Sequence, residues 1–295
     1  MYIVSFFKSL FKLSNIGTII FFLLNAFIVV SLFSPIYTEP EEIFALVCFY
    51  IMCVLFSLSS VGEWFLGLMA GARKMRRADM RARMLPLITR VHNKALAKSP
   101  DMTRIILLKV MYDPTPNAFA LGRRTICVTE GLFALPDEMI EGILAHEMGH
   151  LANHHTTIQL AIGGGNILIT FGIMILKAVA SIMTFIGTVF TFSRDEDTQG
   201  CGCVTSIFGL ICSLILILWT KFCMLFLMWS SRANEYVADK YAMEIGYGYE
   251  LAAALDSIGT GVPQSSLMKA LYASHPETHD RIGKLQELGV PYSRY

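Results

Sequence analysis

The sequence predicts a mainly helical integral membrane protein, with four transmembrane helices in two hairpins and an α+β body containing a small antiparallel sheet. Three observations predict it. Of 295 residues, 54% are hydrophobic and only 16% charged, with a mean hydropathy of +0.54, whereas an average soluble protein is about a quarter charged. Four long apolar segments stand out along the chain. Between and after them lie two polar stretches whose patterning mixes strand and helix signals.

Taken in order, Ile16–Tyr37 and Ile43–Gly62 carry no charge. Each is long enough to cross a hydrocarbon core of about 30 Å. The first is too long for a signal-peptide core and no A-x-A-like cleavage site follows it, so it is expected to be a retained anchor. Residues 1–71 then form a membrane hairpin. Residues 72–100 are basic and expected to be helical, with Pro86 placed to start a helix rather than sit inside one. The run from Ile105 to Val110 is rich in β-formers, and Asp113-Pro114 and Gly122 punctuate turns, which predicts the sheet. "LPDEMIEGILAHEMGHLANHH", residues 135–155, reads as one helix. Asp137, Glu138 and Glu141 near its start suit a helix N-terminus, and Ile140, Ile143, Leu144 and Met148 form an apolar stripe.

The second hairpin occupies 156–231. Its segments Thr156–Ser193 and Gly200–Ser231 are each interrupted by one lysine, Lys177 and Lys221. A helix as long as the first of these extends about 57 Å, nearly twice the hydrocarbon core. Both lysines are therefore expected to snorkel at one interface, with the helices continuing beyond it. Residues 232–295 return as a largely helical polar segment, so the polar body is assembled from 72–155 and 232–295.

Orientation follows from the loops. Residues 72–83 hold Arg73, Lys74, Arg76, Arg77, Arg81 and Arg83 against Asp79 alone, while "YTEPEE" and "SRDEDTQG" at the opposite ends are acidic on balance. Basic loops stay in the cytoplasm. Both termini and the polar body are expected there. The net charge of +1 and the absence of a basic run outside this loop give no nucleic-acid signal. The seven cysteines are scattered and mostly apolar in context, which is no disulfide framework.

"AHEMGHLANHH", residues 145–155, concentrates four of the seven histidines. On a helix, His146 and His150 lie on one face, one turn apart. That lets two imidazole nitrogens share an ion at about 2.0–2.1 Å. Glu147 is set off from that face, where it reaches a water beside the ion and takes its proton as general base. A catalytic zinc needs a third protein ligand. His154 lies roughly 12 Å along the helix from His146, beyond a shared ion. Asn153 and Thr156 stand where the metzincin pattern requires glycine and histidine. His154 and His155 are expected to be polar residues at the membrane interface. The better candidate is Glu235 in "SRANEYVADKYA", with Asp239 one turn on, positioned to accept a hydrogen bond from a ligand histidine. On spacing alone, a solvated acidic helix face is an equal reading.

The ordered set "NAFALG", "VTEGLF", "AHEMGH", "SRANEYVADKYA" and "SHPETHDRI" resembles the membrane-bound M48 zinc metalloproteases, and most closely their bacterial heat-shock branch. The resemblance covers essentially the whole chain. It implies a zincin-like catalytic domain with one Zn2+ per chain, held by His146, His150 and Glu235, with Glu147 as base and Asp239 orienting a ligand. It implies that an extended substrate pairs with an edge strand at Asn117, Ala118, Phe119 and Ala120. It implies that His275 stabilises the oxyanion and that Arg281 anchors its segment. Function and place follow from it as well: an endopeptidase for misfolded or surplus membrane proteins, acting in the stress response at the bacterial inner membrane. Homo-oligomerisation is compatible with it. Two alternatives remain open: a CAAX-type prenyl protease of the same family, disfavoured by the small number of spans, and a non-enzymatic metal scaffold or carrier using the histidine cluster.

Overall fold

The computed structural model describes residues 16–33, 39–190, 233–259 and 278–293, with scattered positions besides. Three apolar helices form the membrane-like layer: α1 (Ile16–Phe33), α2 (Pro40–Ser57) and, after a bend, α3 (Ser60–Met69). Pro40 sits in the first turn of α2, where its missing N–H costs nothing. The Ser59 hydroxyl starts α3 by accepting the Gly62 N–H at 3.1 Å. Among the described residues, Pro40–Ser57 and His155–Val179 are long and apolar enough to cross a bilayer, and Gly17–Val30 is a shorter apolar helix. The fourth apolar segment, with Lys221, lies largely outside the described residues.

The polar body begins with a two-residue strand β1 (Arg73–Lys74), helix α4 (Ala78–Lys98) and strands β2 (Leu107–Met111), β3 (Ala118–Leu121) and β4 (Thr125–Thr129). A 3-10 turn at Glu130–Ala134 leads into α5 (Asp137–Ala152) and the 36-residue α6 (His155–Phe190). Residues 233–244 form α7, followed by α8 (Gly248–Gly259) and α9 (Thr278–Glu287).

The sheet corrects the expectation of an all-antiparallel arrangement. Its order is β1-β2-β4-β3, with β2 and β4 parallel and the outer pairs antiparallel. The connection after β2 reverses direction but leaves a gap one strand wide. The tight turn at Gly122, whose φ of 60° favours glycine, folds β4 back into that gap. Local alternation predicts strands but not their order.

Two further expectations are corrected. Pro86 lies inside α4. Its ring is on the exposed face, so the carbonyl it leaves unpaired can reach water, while Met84, Leu87, Ile88, Val91 and Ala95 are buried on the other face. Packing of that stripe outweighs the proline's cost. The helix expected over 135–155 ends at Ala152, where His154 adopts a left-handed φ of 61° and redirects the chain into α6.

Apolar burial falls into two clusters. One joins α1, α2 and α6 through Phe21, Val54, Ile162 and Ile169. Asn25 on α1 also donates to Asn166 on α6 at 2.9 Å, the polar contact that ties helices together where lipid supplies no hydrophobic drive. The other is the core of the body, where α5 is sandwiched between α4 and α8 through Val91, Ile140, Leu144 and Leu251. This places the histidine-bearing helix at the centre of the body.

Candidate metal centre

Burial dominates the chemistry of α5. His146, Glu147 and His150 are all less than a tenth exposed, as are Glu235 and Asp239 on α7 and Arg281 on α9. Ionisable groups so deeply buried must be paired or hold an ion.

Gly149, inside the histidine sequence, sets how close α7 comes. A Cβ there would lie 2.9 Å from the Ala238 Cα and 3.0 Å from its carbonyl oxygen. Two small residues thus bring the helices into backbone contact. Glu235 and Asp239 flank Ala238 on α7, one turn apart, and both are delivered to the histidines.

The three candidate donors converge. His146 Nε2 and His150 Nε2 are 3.1 Å apart, and Glu235 lies 3.3 Å from the first and 3.2 Å from the second. All three offered atoms lie within 4.8 Å of one another. Tetrahedral ligands held at about 2.0–2.1 Å from zinc are about 3.3 Å from each other. The donor set therefore fits a small divalent cation.

The other ring nitrogens are also held. His146 Nδ1 is 2.8 Å from Asp239 Oδ1. Arg281 makes a two-pronged contact to the same carboxylate, Nε to Oδ2 at 2.8 Å and Nη2 to Oδ1 at 2.6 Å. Arg281 Nη2 also comes within 3.3 Å of His146 Nδ1. Both groups are donors when Nε2 faces an ion, so Asp239 is their shared acceptor. Burial opposes ionisation of Asp239, but Arg281 beside it holds the carboxyl down at about 2. Burial and Arg281 likewise oppose a charge on His146, yet the hydrogen bonds to Asp239 and Glu235 carry it to about 10. The pocket favours positive charge between its acceptors.

His155 has a contact that sequence reasoning missed. It is buried, and its Nδ1 lies 3.1 Å from His150 Nδ1. With His150 Nε2 facing the cation position, Nδ1 carries the proton and donates to His155. As the first residue of α6, His155 ties the membrane helix to a candidate ligand. The clue was the helix break before it, which a continuous 3.6-residue pattern conceals.

Glu147 points the other way. Its Oε2 accepts the Ala120 N–H at 2.6 Å, so the carboxylate is aimed by the edge strand β3. Asn117, Ala118 and Phe119 lead along the same edge, with Asn117 hydrogen-bonded to Thr129 on β4. His275 lies outside the described residues.

Glu63 was also missed. Buried on α3, it accepts from the Thr125 hydroxyl at 2.5 Å and from the Arg123 N–H at 3.2 Å, while Thr156 on α6 donates to the Gly122 carbonyl. The β3–β4 turn is thus clasped by two apolar helices. The available signal was a lone acid just after an uncharged apolar segment, where ionisable residues are costly and seldom idle.

A family model described as Peptidase family M48 matches residues 76–289, a span containing the whole centre. The chain belongs to peptidase family M48. It is similar to the proteins named Protease HtpX homolog of Tropheryma whipplei (strain Twist), 29% identical over 75% of this chain and 77% of that one, and of Limosilactobacillus fermentum, 29% identical over 75% and 72%. Protease HtpX of Shewanella sp. (strain ANA-3) is 28% identical over 69% and 72%. The crystal structure of S. mikatae Ste24p aligns with a TM-score of 0.48 at 17% identity, covering 96% of this chain. The chain spans 65% of that structure's length. By this membership the M48 chain is a metalloprotease, and its apolar helices give it membrane character.

Proposed function

We propose that the protein is a membrane-embedded zinc endopeptidase that cleaves unfolded or surplus membrane polypeptides at the cytoplasmic face of a bacterial inner membrane, in protein quality control. The observation that carries this reading is the meeting of three donors at tetrahedral-edge spacing beside a carboxylate aimed by an edge strand. His146, His150 and Glu235 hold the ion, and their imidazole and carboxylate chemistry suits zinc. A bound zinc supplies Lewis acidity toward water and the peptide carbonyl.

The chain's own residues do the rest. Glu147 takes the proton of the attacking water and passes it to the leaving amine. The Ala120 N–H keeps that carboxylate oriented until substrate arrives. Asp239 fixes the His146 tautomer and is itself held by Arg281; His155 does the same for His150. The edge strand running through Asn117, Ala118, Phe119 and Ala120 offers its outward-facing backbone groups to an extended substrate, a mode that reads little sequence and suits unfolded chains. His275 is assigned to the oxyanion from the sequence resemblance. The basic loop at 72–83 supports the cytoplasmic side.

The test is Glu147→Gln in purified full-length protein. It should retain one zinc per chain while losing cleavage of an unfolded protein such as casein by roughly 10²–10⁴-fold. Undiminished cleavage refutes the mechanism.

A further inference from the structure

At the β1–β2 end of the sheet, opposite the β3 edge, a groove of about 820 Å³ is lined by α3, β1, β2 and the start of α4. Its size lies within the range of about 300–1,000 Å³ typical of ligand clefts. Five cations line it: Arg73, Lys74, Arg76, Arg81 and Lys109. Among the described residues, no carboxylate lines it and none of the five has an ion-pair partner. Neighbouring cations differ, since Arg77 pairs with Asp79 and Glu130, and Arg83 with Asp137. Unpaired like charges gathered in one groove repel each other, and an anion between them relieves the repulsion.

Apolar side chains share the lining. Trp64 and Leu68 come from α3 and Leu85 from α4, and Trp64 and Leu68 are 56% and 54% exposed. They belong to a stripe on α3 that also includes Val61 and Phe65, at 55% and 40% exposed. The spacing of 61, 64, 65 and 68 puts all four on one helix face. The other face of α3, with Gly62, Glu63 and Gly67, is buried against the body. An apolar stripe with tryptophan, directly after a helix long enough to cross a bilayer, marks a helix lying at the lipid–water boundary.

We propose that this groove is a binding site for one anionic phospholipid, with the phosphate among Arg76, Arg81 and Lys109 and an acyl chain along Trp64 and Leu68. Charge complementarity selects the headgroup, and the exposed stripe selects an amphiphile over a soluble anion. A basic loop that only orients the chain in the membrane needs neither a concave site nor an apolar lining. The inference is independent of the protease reading, because the groove contains no residue of the metal centre.

The experiment uses full-length protein in detergent with short-chain phosphatidylglycerol or phosphatidylcholine, followed by native mass spectrometry. The site predicts one saturable phosphatidylglycerol adduct and little retention of phosphatidylcholine. Each neutralised cation should weaken it about five-fold, so Arg76→Gln with Arg81→Gln should weaken it about 25-fold. Trp64→Ala should also weaken it. Circular dichroism and retained zinc check that the variants fold. Equal retention of both lipids, or adducts unchanged in the double variant, overturns the proposal. Displacement of the lipid by millimolar inorganic phosphate, with Trp64→Ala silent, also overturns it in favour of a simple anion site.

Discussion

Replacing Gly149 with alanine tests how the third donor reaches the histidines. The new methyl would sit 2.9 Å from the Ala238 Cα, 3.0 Å from its oxygen and 3.2 Å from its Cβ. Carbon atoms rest about 3.5–4.0 Å apart, and two of these neighbours are backbone, so α7 must retreat by roughly 0.6–1 Å. Metal–ligand distances tolerate only about 0.2 Å. Overpacking costs about 1–3 kcal/mol, partly offset by up to about 1 kcal/mol of gained helix propensity. Stability should therefore fall by about 0–3 kcal/mol, while zinc affinity falls at least about ten-fold as Glu235 is carried off the ion. Competition against a chromophoric chelator measures the affinity, and a melting curve measures the stability. Gly283→Ala on α9 is the control, since its added Cβ meets nothing within 4 Å. Zinc affinity within three-fold of wild type in Gly149→Ala would refute the close-approach argument.

Three other outcomes are expected. Arg281→Gln strips the buried Asp239 carboxylate of its cation and should cost about 3–5 kcal/mol in urea unfolding; Arg281→Lys should recover little, because one ammonium cannot reproduce the two-pronged contact. Glu63→Ala leaves the Thr125 hydroxyl and Arg123 N–H without their carboxylate and should destabilise by about 2–5 kcal/mol. Glu63→Gln should cost much less, and equal losses in the two variants would remove the acceptor role assigned to Glu63. Burial pushes the Cys127 thiol up to about 12, with Lys109 pulling weakly the other way. It is then protonated at pH 8 and should resist iodoacetamide until the protein is denatured, so labelling of the native protein at Cys127 would contradict its burial.

What was legible in the sequence was what local geometry controls. His146, Glu147 and His150 are read from one turn of helix, because four-residue spacing places two side chains together whatever the rest of the chain does. Glu235 was reachable only as a candidate, since its approach depends on a glycine–alanine contact between helices far apart in sequence. The parallel pairing of β2 with β4 was illegible because strand order is set by how a hairpin docks, not by alternation. Pro86 was misread, and the His155 contact missed, for a related reason. One was judged by backbone propensity that packing of α4 outweighs, and the other by a periodicity that stops at His154.

The separation of the donors along the chain has a consequence for biosynthesis. His150 precedes Glu235 by 85 residues, and the 36-residue apolar α6 lies between them. A ribosome delivers the two histidines and Glu147 long before the last donor. Until Glu235 has been synthesised, the growing polypeptide holds two of the three candidate donors. The order of synthesis thus acts as a safety catch. A nascent chain cannot assemble the three-donor cluster before Glu235 has left the ribosome.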